Sequence, residues 1–393
     1  MINNYPYYKK SFLPFQIKEY IFKINKSILS QQKNMFRELF LFIIGQLDKE
    51  LHNYEDEINN ININNNIINV SYKSSSSEDI SSCEDEEKLL NQFRDEYYKK
   101  FNSIIQKNFF SEIQVSYQCL DCNLFKYHYE LVNSFTFDLE KIKSNIMLKY
   151  KFRDIMKKIL LLNLSDCFEN QEKPSILEKN IFCQKCKLKT LQKQIRIIKP
   201  PNILVLFFKE KEVSKVEFDI SIDLQLNPFI HDKIYNNEND SNNDNLFKRN
   251  SYDLMGILTS PKEKAKKGTY IAYCKNPVNK YWYCYNDSIV TSVDIQTLRD
   301  IKIPKLLIYR RKEVICLIFE INDEKRFDIE ANMDMVFRNV ISYLYVKYSW
   351  LKNLNISSFI YNGKDIDINK TISQNNLSNG SIIFCKRDLF LNI

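Results

Sequence analysis

The sequence predicts an α+β fold, and three observations carry that expectation. Residues 267–293, KGTYIAYCKNPVNKYWYCYNDSIVTSV, read as a hairpin. Ile271, Tyr273, Tyr281, Tyr283 and Tyr285 have the period-two aromatic and β-branched spacing of strands, and Asn276-Pro277 to Asn279 supplies the reversal. Residues 31–51, QQKNMFRELFLFIIGQLDKEL, instead repeat at helical spacing, and residues 313–386 run strand, strand, helix, strand, strand.

With 393 residues, 44% of them hydrophobic, the chain has material for two or three domains with real cores. Its net charge of +8 comes from 57 Lys and Arg against 49 Asp and Glu, scattered without a basic run interleaved with aromatics. No nucleic-acid partner is therefore expected. Lys9, Lys10, Lys18 and Lys23 break up the apolar text at the start, which leaves neither a signal peptide nor a spanning helix. The expectation is a soluble intracellular protein, cytoplasmic or nuclear, with no membrane partner. Ten cysteines in a chain of this size do not make a disulfide framework, and four of them fall in two Cys-x-x-Cys pairs, which points to metal in a reducing compartment.

Taken in order, the first strong element is the helix from Gln31 to Leu51, with Met35, Leu39, Ile43, Leu47 and Leu51 along one face and Phe36 and Phe40 beside them. Residues 54–87 turn Asn-rich, then Ser-rich, then acidic, a composition that cannot repay the entropy of ordering. Helical text returns over 88–108. Strands are expected around the cysteine pairs, within 189–199, from Ile203 to Phe208 after a Pro-Pro stop, within 215–230, and from Tyr252 to Thr259. A second Asn- and Asp-rich loop covers 231–250.

Cys119 with Cys122, and Cys183 with Cys186, carry the most specific chemistry. Each pair lets two thiolates approach one ion from a tight turn, and two such turns complete a tetrahedral, closed, structural Zn2+ site. A redox role is disfavoured by the doubling of the motif; four idle cysteines are the other reading.

Beyond Leu298–Arg311, which ends in the strand text KLLIYRR, Glu313–Ile321 alternates, 326–330 returns, and Val336, Val340 and Leu344 mark a helix with Asn332 or Asp334 available as its cap. Asn362-Gly363 and Asn379-Gly380 are turn signals for the last strands. A β-grasp is the arrangement this order favours.

The order Gly268-x-Tyr270-x-Ala272-Tyr273, then Trp282-Tyr283-x-Tyr285-Asn286-Asp287-Ser288, closely resembles the histidine box of the ubiquitin-specific proteases, papain-like enzymes that cut isopeptide bonds after ubiquitin. The resemblance implies a papain-like palm with zinc-bearing fingers over about 109–200, including HYELVNSFTFDL as a strand and KFRDIMKKILL as a helix. It puts Thr269 where the family has its catalytic His, and Asn286 at the third triad position. It also implies ubiquitin contacts at Glu38, Gly268, Tyr270 and Trp282, with Met35 standing where an acidic residue helps Glu38 hold the basic tail of ubiquitin. The blocking loop corresponds to SPKEKAKK, whose Lys262, Lys264, Lys266 and Lys267 would oppose that tail. No Cys lies ahead of the Gln31 helix, so the nucleophile and most of the thumb are expected to be missing, and His52, His128 and His231 sit at no matching position.

Downstream, FIYNGKDI and NKTISQNNLSNGSII resemble ubiquitin-like domains, with Ile360 on the patch that partners read. The expected division is 1–311 for the protease-like domain, with disordered insertions at about 54–87 and 231–250, and 313–386 for the ubiquitin-like one. The functional expectation is an inactive deubiquitinase relative that binds ubiquitin or a ubiquitin-like protein, or scaffolds a larger complex. The alternatives are an active thiol-dependent hydrolase whose thumb is missing from this gene product or supplied by a partner, and a purely structural component.

Overall fold

The computed structural model describes residues 35–51, 83–100, 103–150, 160–176, 183, 185–188, 191–209, 216–231, 250–260, 270–321, 325–354 and 356–387, together with Glu19 and Lys23. The chain forms two compact units. One comprises Met1–Ile222, Phe229–Asp232 and Leu254–Arg310; the other comprises Asp223–Pro228, Lys233–Asp253 and Arg311–Ile393.

The first unit opens with α1 (Met35–Glu50), whose apolar residues recur at helical spacing. Phe36 and Phe40 set their rings 5.9 and 5.6 Å from that of Phe207, and Ile44 is buried one turn later. Then come α2 (Cys83–Lys100) and α3 (Ile104–Phe109). The helical text read over 88–108 is thus two helices, and the first reaches back over 83–87, the acidic end of the insertion expected to be disordered; 54–82 lie outside the described residues. The second begins at Ser103, whose hydroxyl oxygen accepts the Gln106 N–H as an N-cap while its O–H donates to Asp48 of α1.

β1 (Ser111–Cys119), β2 (Phe125–Val132), β3 (Phe135–Asp138), α4 (Leu139–Tyr150), β4 (Leu160–Leu162), α5 (Leu164–Glu172), β5 (Ser175–Ile176), β6 (Leu191–Lys199), β7 (Ile203–Lys209) and β8 (Val216–Phe218) follow. β2, β1, β6 and β5 form an antiparallel sheet in that order. Leu90 and Phe93 of α2 pack on it against Tyr129, Leu131 and Ile198, and Arg94 reaches the buried Glu112 at 2.9 Å.

Two expectations change here. The text HYELVNSFTFDL is two strands in different sheets, because Asn133 and Ser134 interrupt it: β2 stays in the four-stranded sheet, whereas β3 runs parallel to β7. Of KFRDIMKKILL, residues 151–159 lie outside the described residues, and Leu160–Leu161 begin β4, a strand parallel to β8. Among the described residues between the two cysteine pairs, the helices are α4 and α5. A capping box starts α5, with the Asp166 N–H donating to Asn163 Oδ1 at 3.1 Å and the Asn163 N–H donating to the Asp166 carboxylate at 2.9 Å.

β9 (Asp223–Gln225), β10 (Ser251–Thr259), β11 (Ile271–Lys275), β12 (Trp282–Asn286), β13 (Ile289–Val293), α6 (Ile295–Arg299) and β14 (Pro304–Arg311) complete this part of the chain. The larger sheet has the order β13-β12-β11-β10-β14-β7-β3, with β9 paired to Ser251–Asp253. β7 is its core strand: Leu204 to Phe208 are all buried, which explains an apolar run without alternation. The strand text of 215–230 resolves into β8, β9 and a 3-10 turn at Asn227–Phe229.

The second unit holds β15 (Val314–Ile321), β16 (Lys325–Asn332), α7 (Phe337–Lys347), β17 (Ile356–Tyr361), β18 (Lys364–Asp365) and β19 (Ile382–Arg387). Its sheet order is β16-β15-β19-β17-β18, with β15 and β19 parallel and the other pairs antiparallel. Leu317, Phe319, Ile329, Phe337, Val340, Leu344 and Ile383 fill the space between sheet and helix. Asn362 and Gly363 both take positive φ, as an Asn-Gly hairpin turn demands.

Neither Asn332 nor Asp334 caps α7. Its N-cap is Val336, and the first amides find backbone partners instead: Phe337 N–H donates to Lys370 O and Arg338 N–H to Ile368 O. Among the described residues, no helix is long and apolar enough to cross a membrane.

Candidate functional site

The hairpin expected from sequence is β11 and β12, paired Ala272 to Tyr285, Tyr273 to Cys284, Cys274 to Tyr283 and Lys275 to Trp282. Asn276 builds the reversal: its backbone N–H donates to Tyr281 O, and its side-chain oxygen accepts from the N–H groups of Val278 and Asn279. Lys280 closes the turn at φ 63°. A third strand, β13, extends the pair, with Ile289 opposite Asn286.

Asn286 is exposed at the end of β12, and Asp287 follows in the left-handed region at φ 53°. Trp282 is buried, so in this hairpin its ring serves packing. Tyr270 is half-buried just ahead of β11, with Phe36 of α1 against it edge-on at 5.5 Å. The Phe36 ring therefore joins α1, β7 and the start of β11. Glu38, two residues on from Phe36 in α1, pairs with Arg37 at 3.0 Å, and the Arg37 guanidinium lies over the Phe207 ring at 5.9 Å. Gly268, Thr269 and the four lysines of SPKEKAKK lie outside the described residues. Asn286 can orient a neighbour through its amide, but it cannot shuttle a proton near neutral pH.

Cys119, Cys122, Cys183 and Cys186 come together: their sulfurs all lie within 4.8 Å of one another. The two turns are copies. Cys119 N–H donates to Leu124 O and Asn123 N–H to Cys119 O; Cys183 N–H donates to Leu188 O and Lys187 N–H to Cys183 O. Pairing of β1 with β6, ending at Cys119 opposite Leu191, bridges the long sequence gap between them. Cys119 to Cys186 and Cys122 to Cys183 are each 3.5 Å, sulfur to sulfur. A tetrahedron with metal–sulfur bonds of about 2.3 Å has edges of about 3.8 Å, so the set fits one ion. The backbone N–H of Cys186, then that of Lys185, hold the Cys183 thiol below its usual range; at Cys122 and Cys186 the backbone N–H of Leu124 and of Leu188 pulls the same way, but burial and the neighbouring thiols outweigh it and raise both. Four protein ligands leave no open position for a substrate.

In the second unit Ile360 sits on β17, half-buried, with Asp365 of β18 on one side and the exposed Phe384 of β19 on the other. Sequence reasoning missed β13, the matched turns and the Phe36–Tyr270 contact. The repeat of Cys-x-x-Cys-x-Leu in CLDCNL and CQKCKL was a readable signal for the turns. The ring contact had none, since it joins residues far apart in the chain.

The family model described as ubiquitin carboxyl-terminal hydrolase matches residues 4–309. The chain belongs to this family. The match begins well ahead of α1, in text that carries no strong signal when read alone. Among curated ubiquitin carboxyl-terminal hydrolases, number 25 of Arabidopsis thaliana is 25% identical over 203 residues, covering 50% of this chain and 26% of that protein. The chain thus spans about a quarter of that relative's length. Solved structures that align with it include a SAGA DUB module of Ubp8, Sgf11, Sus1 and Sgf73, at 20% identity and a TM-score of 0.45, covering 74% of this chain and 52% of that one. A second is such a module bound to monoubiquitin, at 22% identity and a TM-score of 0.38, covering 58% and 48%.

Proposed function

We propose that this chain is a catalytically inactive member of the ubiquitin carboxyl-terminal hydrolase family, acting as a ubiquitin-binding or scaffolding subunit of a larger assembly. The observation that carries this reading is Thr269, between Gly268 and Tyr270 in an otherwise matching hairpin text. A cysteine protease needs a base that changes charge near neutral pH to form the thiolate and later protonate the leaving amine, and a Thr hydroxyl does neither. Loss of one triad member costs about 10⁴- to 10⁶-fold in rate. Two of the three histidines are engaged on other elements: His128 Nε2 lies 2.6 Å from Glu130, and His231 Nε2 lies 2.7 Å from Glu172.

In this reading the palm is the larger sheet, the fingers are the four-stranded sheet, and the thiol cluster holds zinc. Zinc there supplies folding free energy and no bond-making chemistry. Glu38, Gly268 and Tyr270 form the ubiquitin-facing set, with Trp282 supporting them from inside. The second unit is a ubiquitin-like β-grasp whose sheet order supports the assignment, and Ile360 with Phe384 gives it an apolar partner-binding face.

The retained, exposed Asn286 favours a second reading, in which a fuller assembly supplies both nucleophile and base. Calorimetric titration of ubiquitin into the folded, metal-loaded chain tests the proposal. Saturable binding, weakened about tenfold or more by Tyr270→Ala, supports it. Absence of binding at high ubiquitin concentration leaves the purely structural role.

A further inference from the structure

The larger sheet ends on β13, an edge strand without charge, proline or bulge. The register of Ile289-Val290-Thr291-Ser292-Val293 with β12 is unbroken from Asn286 to Trp282. Residues 289–292 are exposed although their side chains alternate between both faces of the sheet; Ile289 is 61% exposed and Val290 45%. Proteins blunt such edges with lysines, prolines or bulges, because an unpaired row of N–H and C=O groups recruits another strand. Among the described residues, no strand pairs with the outer side of β13.

We propose that β13 is an assembly edge at which a second copy of the chain adds its own β13, antiparallel, about a two-fold axis through Thr291. The strand is self-complementary in that register. Ile289 meets Val293 of the other copy, Thr291 meets Thr291 and Val290 meets Ser292, so every residue but Ser292 is β-branched and no like charges are opposed. Just beyond the strand, Ser288 meets Asp294 and Asp287 meets Ile295, again without an acidic pair. A parallel partner strand has no such two-fold; an antiparallel one shifted along the edge keeps a two-fold but no longer sets Val290 against Ser292. Five residues make a small seam, so the association is weak and concentration-dependent. The seam lies one strand away from Asn286, and it does not depend on ubiquitin binding or on the inactivity of the site.

Analytical ultracentrifugation of the full chain over a concentration series tests the proposal, with a charge swap to read the register. The natural chain is expected to show a monomer–dimer equilibrium. Val290→Lys with Ser292→Lys places like charges opposite each other and is expected to weaken the dimer about tenfold or more. Val290→Lys with Ser292→Glu places opposite charges together and is expected to restore it. Both pairs of substitutions are at exposed positions, and circular dichroism with metal content shows that each variant is folded. A natural chain that stays monomeric at every concentration overturns the proposal. So does a dimer indifferent to the double lysine variant, or one that the Lys and Glu pair fails to restore.

Discussion

Asn123 and Lys187 hold the same left-handed backbone conformation, φ 55° and 62°, each one residue beyond the second cysteine of its pair. That conformation bends each turn so that the next residue, Leu124 or Leu188, returns its carbonyl to the first cysteine's N–H. Asn tolerates it at little cost, and Lys less readily. Lys187→Gly should therefore keep or slightly raise the melting temperature of the metal-loaded protein, while Lys187→Val should lower stability by about 1–2 kcal/mol. Equal melting temperatures for the two variants would show that the turn is not held in that geometry.

Metal content follows from the same four sulfurs. One zinc per chain is expected by elemental analysis, and Cys122→Ser or Cys186→Ser should lose most of it. Metal binding at such sites contributes on the order of 10 kcal/mol. Chelation should accordingly raise amide exchange at the Cys119 end of β1 and the Leu191 end of β6. Unchanged exchange after complete metal removal would place the stability elsewhere.

Thiol reactivity should divide the remaining cysteines. Burial pushes the Cys385 thiol up to about 12, and burial followed by the Asp166 carboxylate raises that of Cys167 well above its usual range. The thiolate is the reactive form, so at pH 8 iodoacetamide should leave both unmodified in the native protein and label both in urea. Peptide mass spectrometry reads the difference, and native labelling of either residue would contradict the packing around it.

Phe319 organises the second unit, with its ring about 6 Å from those of Phe327, Phe337 and Phe359 and no exposure to solvent. Phe319→Ala removes a ring that three others pack on, and should cost about 3–5 kcal/mol. Urea unfolding followed by circular dichroism measures it; a change under about 1 kcal/mol would mean that the core collapses to fill the space.

Legibility of the fold varied with the range of the forces. β11, β12, β14, β7 and the strands of the second unit were readable, because alternation or an unbroken apolar run is itself a record of which faces are buried. The Cys-x-x-Cys pairs were readable for a similar reason, since spacing alone brings two sulfurs together. The split at Asn133-Ser134 was not, because β2 and β3 share one strand-like text; β2 folds back on the neighbouring β1, and only β7, distant in sequence, draws β3 into another sheet. The α7 cap failed as a sequence inference for the same cause: the carbonyls of Ile368 and Lys370 outcompete the nearby Asn332 and Asp334. Asn163 and Asp166 were a missed local signal, spaced as a capping box should be.

Hydrolysis of a ubiquitin–fluorophore conjugate by the purified, metal-loaded chain tests the proposed inactivity most directly. With Thr269 in place of the base, no release above the buffer rate is expected, and Asn286→Ala should change nothing. Release above buffer that disappears on Asn286→Ala would contradict the account.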